Sequence, residues 1–254
     1  MWRIWYYFDM KMCRLTAVAL ALALLGGCGA LPPPRVLTEA EAASPSPLVV
    51  GDAAPELALK TWVQGEPVSR FEPGTVYVLD FWASWCGPCL AAMPDLSRLQ
   101  EKYAGKIVAI GVTGLDEYNT ESEIRKTAAE LKGSIRFRLA IDDAGAMTER
   151  YCVAVRDTAI PRSFVIDQQG RFAWYGHPMD LPPVLDAVLN GTWDMTLARQ
   201  DHLMRDEAAR KTRAIVREYI KAAQAKDVEG QLRAAEEVVQ YPVCLLYTSD
   251  AADE

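Results

Sequence analysis

Two cysteines, Cys86 and Cys89, stand three positions apart in the segment SWCGPCL, with Gly87 and Pro88 between them. Such a pair can help to hold a metal ion, form a structural disulfide or exchange electrons as a dithiol. A structural zinc site needs four ligands, and the chain offers no second Cys-x-x-Cys pair and only two histidines. A permanent disulfide between such near neighbours would close a very small loop and stabilise the fold little. The spacing therefore favours a redox-active dithiol.

The residues around the pair predict a strand followed by a helix. Residues 75–83 are β-branched and aromatic and indicate a buried strand, and residues 88–105 carry apolar side chains at helical spacing. Pro94 lies inside this helix and should kink it. Cys86 is expected at the helix N-terminus, where free N–H groups and the helix dipole stabilise a thiolate. Cys89 lies one turn further on, near enough to attack a mixed disulfide formed at Cys86.

The rest of the main body predicts strands that alternate with helices, then a hairpin and a closing helix. Thr120 or Asn119 would cap the second long helix. The pattern indicates an α/β fold in which helices cover both faces of a central sheet. Further strands are expected at 106–114, 137–142, 162–167 and 171–176, and further helices at 119–133, 143–153 and 180–191.

The segment DFWASWCGPC, residues 80–89, resembles the active-site segment of thioredoxin in its membrane-tethered relatives, the TlpA/ResA-type thiol–disulfide oxidoreductases. The similarity continues in order from about residue 50 to residue 193. Residues 51–71 resemble the leading segment of those relatives, and residues 159–179 resemble their cis-proline strand, hairpin and following loop. The resemblance implies a thioredoxin-like fold with a central mixed sheet over residues 49–194.

The resemblance also implies roles for the residues of the active-site segment. Cys86 matches the nucleophile and Cys89 the resolving thiol, and Gly87 and Pro88 complete the active-site loop. Asp80 matches the buried acid of thioredoxin. A desolvated carboxyl group has a raised pKa and could take the proton of Cys89. Many tethered relatives have Asn at this position, so Asp80 favours thioredoxin-like reducing chemistry.

Three further positions would contact the substrate. Pro161 matches the cis-proline that faces the disulfide, and the backbone of Ile160 would pair with an extended substrate segment. Trp85 would flank the site at the surface. Cys152 belongs to the predicted short helix before this loop, where it is either an inert buried thiol or a third redox thiol.

The N-terminal segment predicts a secreted lipoprotein. Basic residues precede an apolar run at 15–27 that is too short to span a bilayer comfortably. The sequence LLGGC, which ends at Cys28, resembles a bacterial lipobox and implies a signal peptide over 1–27 and a lipid on Cys28. An ordinary signal peptide with a chance cysteine is the alternative. Gly29 favours the outer membrane by the same resemblance, and the proline-rich residues 28–48 indicate an extended tether.

The part of the chain after Trp193 has no strand signal, and an extension over residues 195–243 is expected to be helical. Its two predicted helices either begin a helical-repeat unit or pack on the main domain. Residues 244–254 resemble a translated sequencing adapter, which leaves Cys244 without an expected function. The first of the two helices carries an apolar stripe of Leu197, Met204, Ala208, Ile215, Tyr219 and Ala222.

The net charge and the lack of cofactor motifs further restrict the classes of function that the sequence allows. The formal net charge of −7 argues against nucleic acid as a partner, and the absence of a cofactor motif leaves the Cys86–Cys89 pair to carry the electrons. We expect a reductase of oxidised proteins on the periplasmic side of the cell envelope, anchored in the lipid bilayer through Cys28. It would need a membrane thiol-electron donor, because that compartment is oxidising. A disulfide oxidant or isomerase of the same fold, and a binding lipoprotein whose helical tail recruits a partner, are the alternatives.

Overall fold

The structure, a computed structural model, describes residues 47–240. The predicted signal peptide (1–27), Cys28 with nearly all of the tether (28–48), and the segment 244–254 lie outside the described residues. The described chain forms two compact units that divide between residues 207 and 208.

The first unit is built on a mixed sheet of six strands, in the spatial order β1-β4-β3-β2-β5-β6. Strands β2, β3 and β4 are mutually parallel, whereas β1, β5 and β6 each run antiparallel to their neighbours. This arrangement confirms the predicted α/β fold with a central mixed sheet. The strands are β1 (Thr61–Gln64), β2 (Val76–Phe81), β3 (Ile107–Gly114), β4 (Arg138–Asp142), β5 (Arg162–Ile166) and β6 (Phe172–Gly176).

The helices fall where the sequence predicts them. The Oγ1 atom of Thr120 accepts a hydrogen bond of 3.3 Å from the N–H of Glu123, so Thr120 rather than Asn119 caps α2. Helix α1 continues past Pro94 to its end. The helices are α1 (Gly87–Lys102), α2 (Glu121–Leu131), α3 (Ala146–Thr148) with a π-helical turn (Glu149–Val153), α4 (Leu181–Asn190), α5 (Met195–Gln224) and α6 (Val228–Gln240).

The core of this unit lies on both faces of the sheet, and successive side chains of β2 point to opposite faces. Val76 and Val78 join the core that contains residues of α1, α2 and α4, together with both cysteines of the pair. Tyr77 and Leu79 join the core on the other face, with Tyr151 of the π-helical turn. A side chain at an even-numbered position of β2 therefore faces the cysteine pair.

Strand β1 is absent from the sequence-based prediction. It is short and half-buried throughout, and its pairing with β4 is irregular between Trp62 and Gln64, so it shows no clean two-residue alternation. The side-chain amide of Gln64 donates hydrogen bonds to the carbonyl groups of Ile135 (3.2 Å) and Phe137 (2.8 Å). Tertiary contacts of this kind, rather than a local pattern, define the edge strand.

The predicted C-terminal helical extension is present as α5 and α6. The first turns of α5, up to Glu207, belong to the sheet-bearing unit, and the described residues from Ala208 onwards belong to the second. Within the second unit, Ile215 and Ala234 are buried. No helix within residues 47–240 is long and apolar enough to cross a membrane.

Within the sheet-bearing unit, polar side chains attach the first turns of α5 to the backbone of Val50. The backbone N–H of Val50 donates to Nδ1 of His202 (3.3 Å), and the guanidinium of Arg199 donates to the Val50 carbonyl (2.7 Å). Leu197 and Met204 are 61% and 64% exposed. These two members of the apolar stripe are therefore not packed within the described residues, and the choice between a helical-repeat unit and a helix packed on the main domain stays open.

Candidate active site

Cys86 and Cys89 form a disulfide at the start of α1, with their Cα atoms 5.3 Å apart. Cys86 is the N-cap residue of the helix, and its Sγ atom accepts a 3.3 Å hydrogen bond from the N–H of Cys89. Pro88 lies in the first turn, where its missing N–H costs little. Both sulfur-bearing residues are buried, and Cys86 occupies the position where a helix N-terminus favours a thiolate.

Gly87 and Pro88, the two residues between the cysteines, are exposed. A Cβ atom at Gly87 would meet no other atom within 4 Å, and the φ angle of this glycine is not in the left-handed region. The fold therefore tolerates a side chain between the cysteines, and the part that Gly87 plays in the active-site loop stays a prediction.

The Ile160–Pro161 peptide bond is cis, as the sequence predicts, and lies directly before β5. Ile160 is half-buried and packs against the core that contains the cysteine pair. The indole ring of Trp85, 56% exposed, donates from Nε1 to Oδ2 of Asp116 at 3.3 Å. Ile160 and Trp85 line one groove, so the structure brings these two predicted substrate contacts together.

That groove has a volume of about 380 Å³ and is open to solvent. Its charged lining residues are all acidic, and apolar side chains make up much of the rest of the lining. Residues that line it include Trp85, Leu115, Asp116, Asp143, Glu149 and Ile160.

Cys152 also contributes to the wall of the groove but is itself buried, and it forms no disulfide. Burial raises the pKa of its thiol strongly, with a further contribution from Asp157. A neutral thiol is a poor nucleophile, which favours the inert alternative for Cys152 over the third redox thiol. Its role remains a prediction.

Asp80 lies at an even-numbered position of β2, so its carboxyl group is on the face of the sheet that carries the cysteine pair. The side chain is 1% exposed. Across the sheet its neighbours are Ser163 of β5 and Gly111 of β3. The Ser163 hydroxyl donates a short hydrogen bond of 2.6 Å to Oδ1 of Asp80. Asp80 is therefore buried within the sheet, as the resemblance implies.

Two opposing effects set the protonation of this carboxyl group. Burial raises the pKa of Asp80 to about 7, whereas the hydrogen bond from Ser163 lowers it. The group therefore changes charge near neutral pH, which is the range in which a side chain can both accept and return a proton.

The sequence did not point to Ser163, Asn119 or Asp116 as parts of the site. Oδ1 of Asn119 accepts hydrogen bonds from the N–H (2.8 Å) and the hydroxyl (2.7 Å) of Ser84, two residues before Cys86. From the sequence, Asn119 was considered only as a candidate helix cap. Because Thr120 fills that role, the side chain of Asn119 is available for another contact, and this is the signal that could have identified it.

Among the described residues, no group of three or more histidine, cysteine, aspartate or glutamate side chains could hold a metal ion.

A disulfide at the end of a central strand and the start of a helix, with a cis-proline before the next strand of the sheet, defines a thioredoxin-like protein with a Cys-x-x-Cys centre. The chain belongs to the AhpC/TSA family, whose model matches residues 50–175. Protein FixW of Rhizobium leguminosarum is 31% identical over 153 residues, which are 58% of this chain and 69% of FixW.

Other known proteins are similar to more than half of the chain. The thiol-disulfide oxidoreductase ResA of Bacillus thuringiensis is 28% identical over 163 residues, 64% of this chain and 87% of ResA. Among solved structures, the thioredoxin domain of a thiol-disulfide oxidoreductase from Bacteroides vulgatus aligns with a TM-score of 0.47 and 20% identity, covering 56% of this chain and 99% of that one.

Proposed function

We propose that this chain is a thiol–disulfide oxidoreductase that reduces disulfides in other proteins through Cys86 and Cys89. The observation that carries the proposal is the Cys86–Cys89 disulfide at the N-terminus of α1, on the face of the sheet that holds Asp80. The relatives described as thiol-disulfide oxidoreductases, ResA among them, support the same activity.

In the reduced chain, the Cys86 thiolate attacks one sulfur of a substrate disulfide. A mixed disulfide forms at Cys86, and the other substrate sulfur leaves as a thiolate and takes up a proton. Cys89 gives up its proton and attacks Sγ of Cys86, which forms the Cys86–Cys89 disulfide and releases the second substrate thiolate. Two electrons pass from the dithiol to the substrate, and the step needs no cofactor.

Asp80 is proposed as the group that takes the proton of Cys89. It lies on the same face of the sheet, and its pKa of about 7 leaves part of it ionised at neutral pH. The half-buried Ile160 and the exposed Trp85 would contact the substrate, whose extended backbone would pair beside Pro161.

The exchange mechanism predicts that Cys89→Ser traps the substrate. The variant retains the nucleophile but cannot resolve the mixed disulfide, so a covalent adduct between Cys86 and a model protein disulfide should accumulate and should disappear on treatment with dithiothreitol. Peptide mass spectrometry would locate the adduct. Cys86→Ser is the matched control and should form no adduct; an adduct at another cysteine in both variants would contradict the proposal.

Replacement of Asp80 by Asn should slow the exchange in a pH-dependent manner. The carboxylate is present above its pKa of about 7 and is lost below it, so parent and variant should differ most at pH 7–8 and converge near pH 5.5. At pH 7.5 we expect the rate to fall by about tenfold or more, since a positioned base contributes at least roughly that much. The rate of insulin reduction would be followed from pH 5.5 to 8.5.

Asp167 offers a control for that experiment, because its buried side chain lies in the turn between β5 and β6, beside the end of β2 that is farther from Cys86. Asp167→Asn should keep the pH profile of the parent. An Asp80→Asn chain with the parental rate at every pH would remove Asp80 from the mechanism.

The direction of electron flow is the reducing one in this proposal, and the supporting observation is the ionisable Asp80 on the face of the sheet that carries the pair. A reduction potential near that of thioredoxin, about −270 mV, is therefore expected for Cys86–Cys89. Equilibration with glutathione buffers and mass mapping of the pair would measure it. A value near −120 mV, typical of a strong oxidant, would instead make the chain a disulfide donor.

We further propose that the chain acts on the periplasmic side of the cell envelope, anchored through lipidated Cys28 in the outer membrane and reduced by a membrane thiol-electron donor. The LLGGC sequence and the proline-rich residues 28–48 support this location. Cys28→Ala, which removes the acceptor thiol, should move the protein from the membrane fraction to the soluble fraction. Retention of the variant in membranes would argue for another anchor.

A further inference from the structure

The loop between β3 and α2 contacts the residues that lead into the cysteine pair. This loop, Leu115–Asn119, is held together by Asp116, whose Oδ1 atom accepts hydrogen bonds of 2.7 Å from the N–H groups of both Tyr118 and Asn119. The other carboxylate oxygen of Asp116 accepts from the indole of Trp85. One compact loop therefore contacts the chain immediately before Cys86.

The side chain of Asn119 makes the buried part of this contact and is 1% exposed. Its Oδ1 atom accepts from the N–H and the hydroxyl of Ser84, at 2.8 and 2.7 Å. Its Nδ2 atom donates to Oγ1 of Thr113 (2.8 Å) and to the carbonyl of Gly114 (2.5 Å). Both donor positions and both acceptor positions of the amide are thus used, and they join Ser84 to the end of β3.

Ser84 lies in the middle of the short link between β2 and α1. On the β2 side of Ser84, the N–H of Trp82 donates to the carbonyl of Val112 and continues the pairing of β2 with β3. On the α1 side, the N–H of Cys86 donates to the carbonyl of Ala83 in a tight turn. Between these two points, the hydrogen bonds that Ser84 donates to Asn119 fix the path of the backbone. The position of Cys86 at the helix N-terminus depends on this path.

We infer that Asn119 is a positioning residue for the dithiol exchange: it fixes Ser84 against the end of β3 and thereby holds Cys86 at the N-terminus of α1. This inference rests on the proposed function. Without the amide, the link before Cys86 gains freedom, the sulfur spends less time near the free N–H groups of the helix, and its thiolate is less stabilised.

The test measures the acidity of Cys86 in the full reduced chain, with no disulfide substrate present. Alkylation by iodoacetamide is followed against pH, and the peptide that contains Cys86 is quantified by mass spectrometry. Asn119→Ala should raise the midpoint of this profile by about half a unit to one unit, a roughly three- to tenfold change in the acid constant.

Gln64→Ala is the matched control. Gln64 is also an amide that donates to two backbone groups, but it lies in edge strand β1, with β4 and β3 between it and β2. It should lower the melting temperature, as Asn119→Ala does, and leave the Cys86 midpoint unchanged. An Asn119→Ala chain that loses stability but keeps the parental midpoint would overturn the inference, because Asn119 would then be structural only.

Ser84→Ala keeps the inference testable if Asn119→Ala does not fold, since it removes only the hydroxyl bond to Asn119. It should shift the midpoint in the same direction by a smaller amount, and an unshifted midpoint would count against the inference. In the double variant, the shift should not exceed that of Asn119→Ala alone, because both changes act on one contact. A parent chain that reduces no disulfide would refute the proposed function and leave this acidity result intact.

Discussion

A carboxyl group inside a sheet is the constraint on which the arrangement of this site depends. Asp80 lies in central strand β2 and is almost completely removed from water, which disfavours its charged form. Ser163 of β5 provides a hydrogen-bond donor on one side, and Gly111 of β3 is the neighbour on the other side. A Cβ atom at Gly111 would come within 2.6 Å of the Leu139 side chain and 3.2 Å of Nε1 of Trp82. The absence of a side chain at Gly111 therefore leaves room for Leu139 and Trp82, and Ser163 is the partner that contacts the carboxyl group itself.

In the proposed exchange, the protonation of Asp80 would also act on the sulfur pair, which lies on the same face of the sheet. The N-terminus of α1 favours negative charge on Cys86, whereas an ionised carboxylate on the same face of the sheet disfavours it. Because the pKa of Asp80 is raised to about 7, the carboxyl group is largely neutral below that pH and opposes the thiolate little. In the reduced chain, the two thiols and Asp80 would share one face of the sheet, and a measured pH profile would then describe the coupled set rather than one residue.

Sequence patterns predicted those parts of the site that depend on residues close to one another in the chain. The strand before the cysteines and the helix after them follow from residue type and spacing, and a resemblance over several segments placed the cis-proline at Pro161. Ser163 and Asn119 were missed because their partners are 83 and 35 positions away in the chain. Strand β1 was missed because a short edge strand with irregular register carries no clean alternation. These are contacts that only the folded arrangement creates.

The first turns of α5 show why apolar periodicity can mislead. Both backbone groups of Val50 are bound by polar side chains of this helix, its N–H by His202 and its carbonyl by Arg199. The ring of His202 packs against the rings of Phe172 and Tyr175, and burial lowers its pKa, which keeps Nδ1 free to accept the hydrogen bond. His202 thus contributes ring contacts to the core and one hydrogen bond through Nδ1. Apolar periodicity would assign such a packing role to a residue like leucine. The exposed apolar residues of the same helix are therefore not a guide to where it packs.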